Sequence, residues 1–560
     1  MSSPEKHEDP PAENDQKLTM ANNEDDTVYP SGLKLIALMS SFFLGVFMVS
    51  LDKLIVSTAI PQITNDFNST DDIGWYGTAY LLTNAAFQLL FGKLYKFMPI
   101  KTTFIASLFL FEVGSALCGA APNSMAFILG RAIAGVGAGG VMSGVMVVLV
   151  YCIPLEARPR MQGLSGAIFG VSLVLGPTLS GAFTSSKATW RWCFYINLPM
   201  GAVTMVLVFF LLQIPVRPTS AIPLKEKLKQ LNLMGLAALV PGVVALCLAL
   251  QWGGSTYAWN EWRVILCLVL AFVLLIAFVL VQIWKPAQAT VPPKIFMQRS
   301  IASGFWAIQG KTAVQSGTYL LPMVLLIVVG FIANGELTTR LGYYVPSLII
   351  GTSLTALGAG FMNTFAVHTP KGKWIGYEIL YGFGVGLAGQ VPNMAAQTVL
   401  PKEDVAIGAS LMFFGQTLFA AIFISIGQNV LSKELLSRLP SVPGIDARLI
   451  QSTGATDLLR RVPEQYHDLA LGAYNGSLRA IFQIGLCLAC IQILGAFGME
   501  WLVMKPKFPP KNKKVAGPGI VEPGKDEKDV TEKGIFCGVT EIQAKSGASS
   551  SGVATPARSV

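Results

Sequence analysis

The feature that most limits what this chain can fold into is a succession of long apolar runs joined by short loops. A helix needs about 20 apolar residues to cross a bilayer. Full spans read near 34–60, 73–91, 102–121, 125–152, 161–183, 192–214, 231–251 and 263–284, then 316–334, 342–362, 374–398, 405–431 and 480–504, thirteen in all. Composition agrees. Of 560 residues, 52% are hydrophobic and only 13% charged, with mean hydropathy +0.55, too few charges for a soluble multidomain protein of this length. The expected fold class is all-α and polytopic, with the lipid bilayer as the chain's main partner.

The net charge of +9 does not mark a nucleic-acid binder, because the basic residues sit in short loops and the C-terminal tail rather than on one helix face. Loops 92–101, 153–160, 215–230 and 285–300 hold Lys93, Lys96, Lys101, Arg158, Arg160, Arg217, Lys225, Lys227, Lys229, Lys285, Lys294 and Arg299. The alternate loops hold only Lys187 and Arg191. The positive-inside rule then places the N-terminus in the cytoplasm. Residues 1–32 are polar and acidic, without the regions of a signal peptide, so the first span is expected to act as the targeting signal. From Lys505 the chain becomes a Lys, Pro and Gly mixture, and both ends read as disordered tails.

Several chemistries are disfavoured. Cys118, Cys193, Cys247, Cys267, Cys487 and Cys490 lie in or beside apolar runs, Cys152 is beside a loop and Cys537 is in the tail, with no disulfide framework or metal spacing. GVGAGG at 135–140 matches a dinucleotide pattern, but inside an apolar helical run with no preceding strand. GFWAIQGKT at 304–312 is one residue too long for a phosphate loop, and its interior is bulky. No cofactor and no enzymatic activity are expected, and the energy source should be an ion gradient. His7, His368 and His467 lie in tails or loops, which leaves no histidine proton relay.

An internal repeat tests the span count. GKLYKFMPIK, from Gly92 to Lys101, and GELTTRLGYY, from Gly335, share a Gly-x-Leu start and a basic residue, Lys96 in one and Arg340 in the other. Seven crossings separate the copies, whereas two loops on one side of a membrane need an even number. The basic start of the C-terminal tail gives the same parity. The shortfall falls at IASGFWAIQGKTAVQ, residues 301–315, where only about eight apolar residues stand in place of about 20. A truncated ninth span is expected there, from a deletion or a mis-spliced exon, with a re-entrant segment as the other reading.

LDKLIVSTAIP (51–61), WYGTAYLLT (75–83), GKLYKF (92–97), GRAIAGVGAGG (130–140), GVSLVLGPTLSG (170–181), WRWCFYINLPMG (190–201), LQWGG (250–254) and GQVPNMAAQTVLP (389–401) together resemble the 14-span drug:proton antiporter branch of the major facilitator superfamily, in particular fungal toxin and secondary-metabolite efflux pumps. The resemblance covers about 32 to 504. It implies two six-helix bundles plus a central helix pair: a cytoplasmic tail at 1–32, a first bundle at 33–214, a loop and helix pair at 215–300, a second bundle at 301–504 and a cytoplasmic tail at 505–560. The sequence departs from the family in places. Lys53 and Leu54 replace a commoner polar pair. Lys96 stands where the loop motif has Asp, and Pro99 where it has Gly, which puts the charge-based gate between spans two and eleven of the family in question.

Charged residues inside spans are functional candidates, since burying one mid-helix costs at least about 2.5–3.5 kcal/mol. Arg131 in span four is read as the positive centre acting on a protonatable carboxyl, Asp52 or Glu112. Glu378 is read as lying near a membrane surface. A static ion pair or snorkelling is the alternative for each. Gly135 with Gly139, and Gly166 with Gly170, have the small-residue spacing that lets helices approach closely. Gly176-Pro177 should kink span five where it meets a partner helix, because Pro removes a backbone donor.

Trp75, Tyr80, Asn84, Gln88, Asn197, Gln390, Asn393, Gln397, Gln416 and Gln428 interrupt spans and are candidates for the substrate pathway, with helix-to-helix bonding as the alternative for each. Asn68 and Asn475 head glycosylation sequences, the second in the long connection 432–479. The family likeness implies export of a small organic molecule in exchange for protons, from the cell membrane or alternatively the vacuolar membrane, with no obligate protein partner. A proton-coupled importer, such as a siderophore carrier, and a transport-inactive deletion product are the competing expectations.

Overall fold

Long runs rich in Leu, Ala, Val, Phe and Met, with few interior breakers, form helices, and the computed structural model places a helix on each of the thirteen spans. It describes residues 29–69, 72–214, 223–254, 257–307, 321–366, 369–438 and 466–504. Both tails, residues 308–320 and most of the connection after Arg438 lie outside the described residues. So does the whole of a second unit, 507–560.

In chain order the helices are α1 (Gly32–Phe67), α2 (Ile73–Phe97), α3 (Ile100–Ala120), α4 (Ser124–Cys152), α5 (Arg158–Thr184), α6 (Trp192–Tyr195), α7 (Asn197–Leu211), α8 (Leu224–Gln230), α9 (Leu233–Trp252), α10 (Trp262–Trp284), α11 (Pro293–Phe296), α12 (Arg299–Ala307), α13 (Leu321–Leu341), α14 (Val345–Met362), α15 (Lys371–Gly389), α16 (Val391–Val399), α17 (Val405–Arg438) and α18 (His467–Gly498). Among the described residues, β structure is limited to two isolated bridges, Gly253 with Tyr257 and Tyr343 with Val503.

Among the described residues, eleven segments are long and apolar enough to cross a membrane. The spans below that mark, α2 and the α15–α16 pair, carry Trp, Tyr, Asn, Gln and charged residues. Protein covers them: α2 packs on α4, α9 and α17, and α15 on α13 and α14. A helix shielded by neighbours needs less apolar surface than one facing lipid. The converse is α10, whose face of Ile265, Leu266, Val269, Phe272 and Val273 is exposed.

The first helices, α1 to α7, pack around α1 and α4, and α12 to α18 pack around α13, α15 and α17. The two largest contacts between the halves are α2 with α17 and α5 with α13, with α4 also packing on α17, and glycines permit the two largest. A Cβ on Gly92 would stand 2.9 Å from Ser410 Cβ, and one on Gly163 2.6 Å from the Phe331 carbonyl oxygen. The two loop repeats thus act crosswise: Gly92 of the first seats α2 on α17, and Gly335 of the second seats α13 on α5, 2.7 Å from the Pro159 carbonyl. Gly135 and Gly139 of α4 pack on α2 at Tyr80 and Asn84, and Gly166 and Gly170 of α5 pack on Phe331 and Val328 of α13.

One end of the molecule collects the basic residues. Lys34 donates to Gln213, Lys96 to Asp404, Arg160 and Arg340 to Glu336, Arg299 to the Gly498 carbonyl, and the Met504 amide to the Gly342 carbonyl. Lys93, read from sequence as a loop cation, is only 2% exposed. Its ammonium donates to the carbonyls of Gln230 and Gln288, fixing the ends of the α9–α10 pair to α2.

The helices on either side of the short segment both reach this basic end. α12 starts at this basic end, beside Gly498 and Glu500, and runs only nine residues, about 14 Å at 1.5 Å per residue. α13 finishes at the same end, where Glu336 meets Arg160, so it starts at the other. Residues 308–320, between the two helices, lie outside the described residues, and so does the start of the span read at 316–334. The last span begins earlier than 480, at His467.

α5 is assigned as one helix from Arg158 to Thr184 with Gly176-Pro177 inside it. The helix assignment breaks in two other spans, at Ile196 between α6 and α7 and at Gln390 between α15 and α16, where Pro392 stands in the first turn. One further expectation changes. Asn475 is in the third turn of α18, not in a loop, and its amide donates to the Phe365 carbonyl at 3.1 Å. Asn68 keeps an exposed position at the end of α1, in the left-handed conformation with φ 49°.

Candidate transport site

α1 and α4 cross so that Asp52 and Arg131 meet inside the first half. The Asp52 carboxylate accepts from Arg131 Nη1 at 2.6 Å, with side chains 0% and 1% exposed. Arg131 Nε donates to the Tyr76 carbonyl at 3.0 Å, and its guanidinium lies over the Tyr80 ring, 4.4 Å from the centroid. Asn197, at the start of α7, donates to Asp52 at 3.3 Å and to Ser115 at 3.2 Å. A buried ion pair is tolerated only when further hydrogen bonds hold it, and this one is held on both sides.

Glu112 lies one turn before Ser115 on α3, 6% exposed, and neither carboxyl oxygen has a partner. Gly201 of α7 faces it so closely that any side chain there would collide with the carboxyl. The space thus holds two carboxyls and one guanidinium, with Asp52 taking the cation. Glu378 is buried on α15, two turns from the start of that helix, 5% exposed with one unpartnered oxygen.

The other candidates separate into two groups. Gln88 is buried and donates to Ser143 at 2.6 Å. Ser410 of α17 donates to Ser143 as well, which stitches α2, α4 and α17 together. Gln397 donates to Met146 at 3.5 Å across the halves, and Asn393 to Gln390 at 3.3 Å. Gln88, Asn197, Asn393 and Gln397 therefore lie in helix seams, whereas Trp75, Asn84, Gln390 and Gln416 are half-buried. Tyr80, with its ring on Arg131, donates from its hydroxyl to the Val49 carbonyl.

Toward the basic end the seams are shut by charge. Lys96, in the last turn of α2, meets Asp404 at 2.5 Å, and Arg160 of α5 meets Glu336 of α13 at 3.0 Å. Arg340 joins the second contact at 2.7 Å. A charge contact between α2 and the start of α17 is thus present with Lys96 in place of the family's Asp, because Asp404 supplies the acid from the other helix. The sequence reading missed Asp404 and Glu336. Their signal was present only as acids flanking α17 and following Gly335.

Gly176 sits where α5 meets α1, 2.9 Å by its would-be Cβ from Leu54 Cβ, two residues beyond Asp52. Its smallness therefore sets how closely span five approaches the span that carries the ion pair.

A buried charge pair between crossing spans, two glycine-seated seams and charge latches at one end define a membrane transporter. The chain belongs to the Major Facilitator Superfamily, whose profile matches residues 42–424. It is 47% identical over 513 residues to an MFS-type transporter of Claviceps purpurea, spanning 87% of this chain and 89% of that one. It is 42% identical over 503 residues to aurT, a rubrofusarin-specific efflux pump of Gibberella zeae, spanning 86% and 92%. Among solved structures, the proton:xylose symporter XylE is similar in fold, with a TM-score of 0.50 and 12% identity over 83% of this chain and 94% of that one.

Proposed function

We propose that this transporter exports a small organic molecule, of the toxin or secondary-metabolite kind, in exchange for protons, from the cell membrane with its basic end in the cytoplasm. The observation that carries the reading is the buried cluster of Asp52, Arg131 and Glu112. One guanidinium neutralises one carboxyl, so the second has no charge partner and is where a proton can reside without leaving a bare buried charge. Moving the proton between the two carboxyls would free or bind Arg131. Through Asn197, Tyr76 and Tyr80 it would then shift α1 and α4 against their neighbours. The relatives support export, since aurT is named for efflux. So does the Gly176-Pro177 segment, which resembles the antiporter motif.

In this reading residues 33–214 and 301–504 are the two moving bundles, and 215–300 is the inserted pair that Lys93 anchors. Trp75, Asn84, Gln390 and Gln416 line the pathway, and Asn68 is the glycosylation site.

The full-length protein in liposomes with an imposed proton gradient tests this. Transport of rubrofusarin or a fluorescent lipophilic dye should follow the gradient, collapse with a protonophore and fail in Asp52→Asn. Transport indifferent to the gradient would overturn the coupling. Transport only in the same direction as protons would favour import. None with any compound would favour an inactive chain, with the short α12 as the cause.

A further inference from the structure

α1 carries a second charge that the ion pair does not use. Lys53 follows Asp52 directly, yet it points elsewhere and is exposed, and it has no partner among the described residues. Helical geometry fixes where it faces. At about 100° per residue, Lys53 and Ser57 lie about 40° and 80° round from Val49 toward Leu54. Val49 touches α2 through Tyr80, and Leu54 touches α5 through Gly176. α2 and α5 are also the helices that contact the second half, through Ser410 and Phe331. The sector of α1 between them, with Lys53 and Ser57, therefore turns toward the second half and not toward lipid.

Exposure along that sector changes at Lys53. Met39, Val46 and Ser50, nearer the basic end, are 5%, 2% and 2% exposed, whereas Lys53, Ser57 and Pro61 are all exposed. Thr64, further out in the same sector, is again buried at 6%, so Lys53, Ser57 and Pro61 form an exposed stretch between buried ends, with Lys53 at its limit toward the basic end. The ammonium cannot reach the end of its helix. Fourteen residues separate Lys53 from Phe67, about 21 Å, which is further than a lysine side chain extends. Its exposed neighbours in that sector, Ser57 and Pro61, are neutral.

We propose that Lys53 is the anchor for an acidic group, a carboxylate or ionised phenol, on the transported molecule. An unpaired cation at the limit of an exposed stretch that turns toward the second half favours an anion by charge-assisted hydrogen bonding, and Ser57 one turn on offers a further donor. The proposal rests on the reading of the chain as a transporter of organic molecules, and it adds the chemical class of substrate. It does not depend on the direction of transport or on which carboxyl carries the proton.

The test uses the full-length protein in lipid nanodiscs and the fluorescent acid 1-pyrenebutyrate, compared with its uncharged methyl ester. We expect the acid to bind at least about 10-fold tighter than the ester. Lys53→Gln should erase the difference by weakening the acid alone, and Lys53→Arg should keep it. Ser57→Asp, which places a competing carboxylate one turn away, should erase it with the lysine still present. Ester binding is the control for a folded cavity, and if Lys53→Gln fails it, Ser57→Asp and the wild-type contrast decide. An acid that binds no tighter than its ester, or a preference that survives both Lys53→Gln and Ser57→Asp, overturns the proposal. Acid-selective binding with inward-only transport would sink the export reading and leave this one standing, and gradient-driven export without acid preference would do the reverse.

Discussion

Lys96 closes on Asp404 at 2.5 Å, joining the last turn of α2 to the residue that caps the N-terminus of α17. Each charge also complements the dipole of its own helix, a cation at a C-terminus and an anion at an N-terminus, worth about 0.3–1 kcal/mol apiece. At 21% and 25% exposure the pair itself contributes about 1 kcal/mol at most. That is enough to bias two conformations by several-fold without locking either.

Reversing either charge should therefore open the basic end. We expect Lys96→Asp and Asp404→Lys each to speed maleimide labelling of a Ser410→Cys reporter, which sits in that seam beside Gly92 and Ser143. The double swap should restore slow labelling only in part, because both charges then oppose their own helix ends. A swap as slow as wild type would show that the dipoles contribute nothing.

The Asp52–Arg131 pair should behave as a unit. Arg131→Met leaves a bare buried carboxylate and should cost about 3–5 kcal/mol, seen as a lower Tm. The double variant Asp52→Asn with Arg131→Met should recover most of that loss in thermal denaturation while proton-driven transport stays absent. Failure to recover would mean that Asn197 and Tyr80, rather than charge balance, set the stability.

Glu112 should separate stability from coupling. Glu112→Gln keeps the shape and removes no ion pair or hydrogen bond, so stability should change by less than about 1 kcal/mol. Proton flux per substrate transported, followed with an internal pH dye, should fall if Glu112 is the second proton site. Unchanged stoichiometry would leave Asp52 alone in that role.

Gly176 should act through contact with α1. Gly176→Leu places atoms where Leu54 already stands and should cost about 1–3 kcal/mol and most of the transport. Leu54→Ala in the same chain should restore part of both. Pro177→Ala lies in a helix that is already continuous, so a thermal gain with loss of efflux is expected. Full efflux would show that the proline has no part in the cycle.

The span order, the basic end, and Asp52, Glu112 and Arg131 as in-span charges were legible because each is a local property: twenty apolar residues, or a charge where the membrane penalises it. The partners were not. Asp404 is 308 residues from Lys96 and Glu336 is 176 from Arg160, and no local pattern marks which acids meet which bases. Gly176-Pro177 lies inside one continuous helix, since neighbours can re-satisfy what a proline frees in a span, whereas the breaks at Ile196 and Gln390 carried no reading from the sequence.

The amino-acid sequence by itself determined that this protein lives in a bilayer, which apolar stretches are helical and which end is basic, since solvation acts on each segment separately. The tertiary structure alone decided that Asp52 is paired while Glu112 and Lys53 are not. Adjacent residues on a helix point about 100° apart, so only the packing of α1 between α2, α4, α5 and α7 turns Asp52 inward to Arg131 and leaves Lys53 facing open space.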